Sequence, residues 1–458
     1  MDILNLKFDV AICGGGTSGI TAALSAARNN CKTILIERNQ FLGGILVSGL
    51  GILGYKDRNG DSIIGGIAKE LFDDLQLTND TQGHNYCPIL NSLTPINSSM
   101  LQVLLLKKCD EANVHTLLSS EVIDAEVVEG EIKSILVFGV NCKYRISADV
   151  FIDATGDGEL CKFAGVDFIE RKSVGEIQPA SLIFSLSNVN REDLIKYLEE
   201  NPDEAKTPEG YEMDTSPEFY RNSIGYNILG LDSLIKKARE NGDYKNIPRD
   251  RFSTITNPIP DKMTINNTRI MNFDGSDVIQ LNSGIKEGFR QLDELLDFIP
   301  KYVPGYEKCQ LTSISPLLGV RESRRCKGIK ELQKESVLNG DIPEDTVALC
   351  GYNIDIHHGA DEGSDLHIVK KAYGIPFLTL LSEKVTNLIF TGRLISADTD
   401  TFGSCRIMTT CMALGEAAGC AAALSVKHNM IPKNISIKEL RNALVSEGSI
   451  LEVQHVIS

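Results

Sequence analysis

The chain has 458 residues, 42% hydrophobic and 24% charged, enough to bury a large core spread over two or three domains, and no tract of low complexity interrupts it. Lysine and arginine number 46 against 62 aspartates and glutamates, a net charge of −16 that repels phosphate backbones and acidic lipid and argues against nucleic acid as the main partner. The twelve cysteines are scattered without one C-x-x-C pair, which fits reduced thiols rather than a structural zinc or an iron–sulfur cluster.

Residues 1–7 show no basic region followed by an apolar core, and no later stretch resembles a charge-free membrane span, so the expected location is the cytoplasm, away from membranes. Val10, Ile12 and Cys13 form a short apolar run that ends at the glycines beginning with Gly14. Ile20, Ala23, Leu24 and Ala27 then recur at helical spacing, and Ile34, Leu35 and Ile36 resume a buried-strand pattern. Within this strand–turn–helix–strand unit, Gly14, Gly16 and Gly19 hold the G-x-G-x-x-G positions. The first permits a tight turn, the second lets backbone approach a pyrophosphate, and the third lets helix and strand pack closely. Glu37 closes the second strand about 20 residues beyond the middle glycine, where a carboxylate can accept from two ribose hydroxyls, and it favours a free 2′-OH over a 2′-phosphate. Gly49-Leu50-Gly51-Ile52-Leu53-Gly54 also fits the pattern, but it follows no clean strand and opens no clear helix, so it reads as a loop.

Arg38 and the following loop lead into Leu42-Gly43-Gly44. An acid at the end of the second strand, followed by Leu-Gly-Gly, resembles the FAD-dependent oxidoreductases with a glutathione-reductase-type flavin fold. The resemblance implies an α/β chain built on a Rossmann-like FAD-binding domain with an inserted α+β substrate or cap domain. It further implies that Gly14, Gly16, Thr17, Ser18, Gly19, Glu37, Arg38, Gly43 and Gly44 line the FAD. Beyond this, Ile67, Leu71 and Leu75 share one face of an amphipathic helix. Short alternating runs at 114–118, 122–128 and 132–140 then read as an antiparallel ribbon that returns to the central sheet at 148–152. By resemblance, Val122 lies near the adenine.

The returning strand ends in Asp153-Ala154-Thr155-Gly156-Asp157-Gly158, which resembles the second flavin signature and implies FAD contact at Ala154, Thr155, Gly156 and Asp157; its plain alternative is a strand-to-turn with an aspartate capping a helix near Glu159. Residues 178–186 read as a strand leaving the flavin domain. Helices are expected at 191–200, 231–241 and 283–298 within a cap over 171–309, between flavin-domain segments 1–170 and 310–440, with a tail helix over 441–458. The cap shows no cofactor motif. Arg321 lies in the basic run 319–325, readable as a solvated charged helix, although the run resembles a stretch preceding a Tyr-x-Ile-Asp-Ile-His sequence in one subgroup of FAD-dependent oxidoreductases. Here that sequence is Tyr352-Asn353-Ile354-Asp355-Ile356-His357-His358. Asp355, His357, His358, Asp361 and His367 match no compact metal spacing, so no metal is expected.

In the same subgroup an Ile-Pro step is followed by an aromatic and a basic residue, whereas Ile375-Pro376 precedes Phe377-Leu378; if that basic residue touches substrate, a less cationic pocket follows. The closing block runs through Asn387–Arg393 into a helix of small residues, with Gly415 and Gly419 on one face where another backbone can approach. It is similar to the third flavin signature and implies FAD contact at Gly392, Arg393, Met408 and Thr409, with the helix start favouring negative charge on reduced flavin. Arg406, just before this helix, matches the position at which an arginine of fumarate-reductase-like relatives grips substrate oxygen. His357 or His358 is the candidate general base, because imidazole titrates near neutral pH, and Arg321 is a further candidate. The expected activity is hydride transfer between FAD and a small polar substrate, with a separate electron donor or acceptor because no second glycine fingerprint is present. The alternative is a flavin-bearing electron-transfer or partner-binding subunit.

Overall fold

Val10–Cys13 is apolar and buried at every position, as a strand must be when both faces of its sheet are covered. In the computed structural model, which describes residues 3–87, 90–170, 177–205, 214–358 and 363–453, this strand is the centre of a five-stranded parallel sheet. The order across the sheet is Leu388–Phe390, Val150–Asp153, Val10–Cys13, Thr33–Ile36 and His115–Leu117. The register sets Cys13 opposite both Asp153 and Ile36, and Asp153 opposite Phe390. Three segments far apart in sequence therefore leave the sheet side by side, at the point where the strand order reverses and α/β folds bind ligands.

One helix pair holds this arrangement. Met408–His428 crosses Thr17–Arg28 at Gly415 and Gly419, where a Cβ would stand 2.0 Å from the Ser18 carbonyl oxygen and 2.2 Å from that of Ala22. The Thr21 hydroxyl donates across the crossing to the Met412 carbonyl at 2.7 Å. Among the described residues this is the one helix long and apolar enough to cross a membrane, and it is buried in the protein core. Its Glu416, 1% exposed, accepts from the Ile67 amide at 3.0 Å and the Ser449 hydroxyl at 3.1 Å, tying the start of Gly66–Leu77 to the C-terminal segment. Burial pushes its carboxyl up to about 7.

The ribbon pairs Ser120–Val128, Glu131–Gly139 and Cys142–Ser147 antiparallel, and Ile3–Lys7 adds a parallel edge strand. The last two strands escape the sequence reading because Cys142–Ser147 is largely polar and Ile3–Lys7 pairs only with a partner some 140 residues away. The cap is a second, antiparallel sheet ordered Asn227–Gly230, Phe252–Thr256, Met263–Ile265, Phe184–Ser187 and Gln310–Ile314. Helices Arg191–Glu200, Asp232–Asn241 and Val278–Tyr302 accompany it, with Phe252, Phe298 and Tyr306 buried between the layers.

Five expectations shift. Residues 114–118, expected in the ribbon, instead supply His115–Leu117 to the central sheet, parallel to Thr33–Ile36. The strand expected over 178–186 begins only at Phe184, because residues 180 and 181 make isolated bridges instead. The last cap strand, Gln310–Ile314, lies beyond the expected boundary at 309. The tail helix is Ile437–Ser446, started by the Ser436 hydroxyl accepting from the Glu439 amide, so it begins before the expected span and ends within it, and residues 454–458 of that span lie outside the described residues. Residues 319–325 are neither helical nor solvated: Arg325 is buried, its guanidinium 3.6 Å from Glu322 and bonded to the Ala397 carbonyl.

Gly415→Val or Gly419→Val forces a side chain into backbone, and each is expected to cost about 3 kcal/mol or more in denaturant unfolding. Glu416 holds its proton more tightly folded than unfolded, so its contribution to stability is present at acid pH and lost as pH rises through about 7. Glu416→Gln is expected to remove that component from the pH dependence of thermal unfolding.

Candidate active site

The glycine turn is built as its spacing demands. Gly14 takes φ +98°, and a Cβ there would lie 2.5 Å from the Ala154 carbonyl oxygen, while one on Gly19 would lie 1.8 Å from that of Gly14. At Gly16 nothing stands within 4 Å of a Cβ position, so this point faces open space. No side chain caps the Thr17–Arg28 helix, and the Thr17 hydroxyl is buried without a hydrogen-bond partner. Open space beside an uncapped helix start and an orphaned hydroxyl fit the pyrophosphate of a dinucleotide. Gly43, at φ +100°, donates its amide to the Gly15 carbonyl at 2.8 Å, and a Cβ on Gly44 would lie 3.1 Å from Gly16 Cα. The Leu-Gly-Gly segment thus runs beside the turn.

Glu37 is 6% exposed, its Oε2 accepting from the Gly15 amide at 2.7 Å and its Oε1 from the Asn39 amide and side chain at 2.7 and 2.6 Å. A carboxylate offers about four acceptor directions, so one ribose hydroxyl fits directly and a second must displace the Asn39 side chain. Glu37, Arg38, Val122 and Thr155 line one small cavity of about 40 Å³ with Glu159. Arg38 is half-exposed, 3.8 Å from Asp157 and 3.7 Å from Glu159, whose carboxyl is pushed up to about 7 by burial and by Asp157.

The other two segments close on the turn. Ala154 donates to the Cys13 carbonyl at 2.8 Å and Thr391 to that of Asp153 at 3.0 Å. A Cβ on Gly392 would stand 2.6 Å from the Ser18 hydroxyl oxygen. Gly156, at φ +83°, lies under the Arg393 guanidinium. Asp157 is no helix cap: its Oδ1 accepts from the Ser323 hydroxyl at 2.6 Å and from Arg393 at 3.2 Å. The deeper aspartate, Asp153, accepts from the Thr155 amide and hydroxyl and from the Cys161 amide.

A second cavity, about 640 Å³, opens between the flavin-domain and cap elements, within the range of small-molecule sites. Met408 and Arg393 line it from the core, Asn227, Arg249 and Arg269 from the cap, and Arg321, Asp355, His357 and Arg406 also face it. Thr409 turns away, donating to the Leu53 carbonyl at 2.7 Å. Arg406 donates to Gln178 Oε1 at 3.0 Å and to the Asp355 carbonyl at 3.2 Å, leaving its Nε buried without a partner. Arg321 donates to the Pro179 carbonyl at 2.6 Å and the Ser181 hydroxyl at 3.0 Å, and burial together with Arg406 lowers its guanidinium to about 9.

His357 Nε2 lies 3.2 Å from Asp355 Oδ2, and its Nδ1 lies 3.4 Å from Arg269 Nη1. Arginine can only donate, so Nδ1 carries the lone pair and Nε2 the proton given to Asp355. Burial is the main reason its imidazolium is disfavoured, down to about 4, with Arg321 and Arg406 opposing the help of Asp355. The His358 ring stays outside this cavity, 3.1 Å from Asp365 in a surface pair, so the two histidines part company. His367 is exposed, Asp361 lies outside the described residues, and among the described residues no three metal-ligating side chains converge.

The sequence reading misses Arg249, Arg251 and Arg269, because basic residues around a cap strand look like surface charge until the strand's facing is known. The expectation of a pocket less cationic than those of relatives rested on residues 377–378 touching substrate, and neither lines the cavity. Phe377 is buried in the core and Leu378 does not reach the cavity, so the basic character lost there is irrelevant to a space lined by six arginines.

A reversed parallel sheet, a glycine turn at its central strand and two further strand ends beside that turn define a dinucleotide-binding α/β protein with a covered pocket. Residues 9–444 match the family described as FAD dependent oxidoreductase, and the chain belongs to that family, with FAD as its cofactor. Over 162 residues it is 25% identical to thiamine thiazole synthase of Thermococcus kodakarensis, a match spanning 34% of this chain and 59% of that protein. Among solved structures it is similar to a geranylgeranyl bacteriochlorophyll reductase-like protein of Thermoplasma acidophilum, at 14% identity, covering 97% of this chain and 84% of that one, with a TM-score of 0.48. Aquifex aeolicus GidA is 14% identical, with 96% and 68% covered and a TM-score of 0.47.

Gly16→Val fills the open point of the turn and Glu37→Ala removes an acceptor held within it. Each is expected to weaken FAD retention by about tenfold or more, read as the flavin-to-protein ratio after purification.

Proposed function

We propose that this protein transfers hydride between FAD and a small polar organic molecule held in the 640 Å³ cavity, and exchanges the electrons with a separate donor or acceptor. The observation that supports this reading is that Met408, at the start of the core helix, shares one cavity with Arg406, Arg321 and His357. FAD, when bound, supplies a two-electron acceptor at its N5.

The chain's own residues do the rest. Arg406, with an unpartnered Nε, holds substrate oxygen, and Arg321 stands behind it as a second cation. His357 takes the substrate proton at Nδ1, once Arg269 turns its N–H toward the substrate, while Asp355 keeps the ring's orientation and steadies the imidazolium. The cap covers the cavity with Asn227, Ile255 and Asn266 and limits its water. His358, paired with Asp365 at the surface, has no part in this scheme.

Arg406→Ala is expected to keep FAD while slowing substrate-dependent flavin reduction by about 10²-fold or more, measured anaerobically by stopped flow; unchanged reduction rules Arg406 out of the reaction. His357 is neutral above about pH 4 in the folded protein, so kcat/KM is expected to stay level through neutrality and fall only near that pH, a limb absent in His357→Gln. Because its folded pKa is depressed, its contribution to stability is complete above about 6.5 and is lost as pH falls toward 4.

A further inference from the structure

Six arginines and two aspartates line the large cavity of a chain whose net charge is −16. Two arginines are matched by carboxylates: Arg393 lies 3.2 Å from Asp157, and Arg251 lies 3.2 Å from Asp250. Arg249, Arg321 and Arg406 differ. Their hydrogen bonds run to neutral oxygens: Arg249, whose Nε donates within the sequence Arg249-Asp250-Arg251 to the last carbonyl, Arg321 to Pro179 and Ser181, and Arg406 to Gln178 and the Asp355 carbonyl. The remaining aspartate of the lining, Asp355, is bonded to the neutral His357, so its charge offsets only one of the two cations Arg321 and Arg406 and leaves the pair with an excess positive charge.

These cations also disfavour one another. Arg321 is lowered to about 9 by burial, then by Arg406, with Arg249 and Arg269 adding to the effect against the opposing charge of Asp355, and Arg249 is lowered to about 10 by burial, with Arg269 and Arg251 adding against the opposing Asp250. Gathering guanidinium groups around shared space is unfavourable unless an anion enters it. The Arg406 Nε, buried without a partner, is a further donor awaiting an acceptor. Arg249 stands just before the cap strand Phe252–Thr256, whereas Arg406 precedes the core helix Met408–His428, so the cations are anchored on two separate layers.

We infer that the molecule bound here is a small organic dianion, one acidic group held by Arg249 of the cap and the other by Arg321 and Arg406. A monoanion leaves one of these sites unanswered; two acidic groups match both. Guanidinium forks accept carboxylate and phosphate alike, so the shared chemistry is the pair of negative charges. Calling this dianion the substrate rests on the oxidoreductase reading above; its binding does not.

The test is calorimetry on the FAD-loaded protein with two charge series: succinate, its monoamide and its diamide, and 3-phosphonopropionate, its carboxamide and propionamide. At least one dianion is expected to bind about tenfold or more tightly than its less charged counterparts, and to weaken as salt is added. Succinate alone binding assigns both positions to carboxylates, and 3-phosphonopropionate alone places a phosphoryl group at one of the two positions. Arg249→Gln is expected to lower affinity for the dianion by about 30-fold or more with FAD content unchanged, and Arg249→Lys to restore part of it. Should Arg249→Gln fold poorly, Arg321→Gln carries the same expectation. The inference is overturned if neither dianion outbinds its neutral counterpart, or if both glutamine variants bind as the parent does. Uncharged compounds reducing the flavin as well as the dianions sink the inference and leave the oxidoreductase reading standing. Dianion binding to a flavin that only a protein donor reduces sinks that reading and leaves the site.

Discussion

The close approach of two helices is the constraint on which the rest depends. Without side chains at Gly415 and Gly419, Met408–His428 presses its backbone against the carbonyls of Ser18 and Ala22, and the Thr21 hydroxyl bridges the gap. That contact ties the end of the chain to its beginning. It sets the Gly392 turn against Ser18, beside the first glycine turn, and holds Met408 four residues ahead of the Met412 carbonyl that accepts from Thr21. It is also why a helix apolar enough for a membrane is found in a protein core.

Charge is distributed against the average. The surface is acidic overall, yet the cavity of about 640 Å³ collects guanidinium groups from the cap, the 319–325 strip and the start of the core helix. Its lone imidazole is kept neutral by burial and by those same cations, while Asp355 stays ionised under their influence. A neutral base facing cations is ready to accept a proton from a bound molecule that brings negative charge with it. On the proposed reading, the same residues set both what enters and what can be done to it.

His357 and His358 show how far adjacent residues can diverge. They alternate along the strand Ile354–His357 and the turn that follows, so one ring faces the cavity and the next meets Asp365 at the surface. Arg325 likewise leaves the solvent its sequence neighbours suggest and bonds the Ala397 carbonyl in the interior. Position in a polar run says little about facing when the run is an extended connection.

The local sequence determined the glycine turn, its helix and strands, the acid at Glu37, the Leu-Gly-Gly segment and the small-residue helix, because each is encoded by spacing over a few residues: period 2, period 3.6, or a glycine where a Cβ has no room. Most cap helices were legible for the same reason. Only the tertiary structure decided that Arg249, Arg269, Arg321, His357 and Arg406 share one space, that Glu37 is already engaged by Gly15 and Asn39, and that residues 377–378 lie away from the cavity. Those facts depend on packing between segments more than a hundred residues apart, and no local periodicity records which face of a cap strand will meet the end of a distant helix.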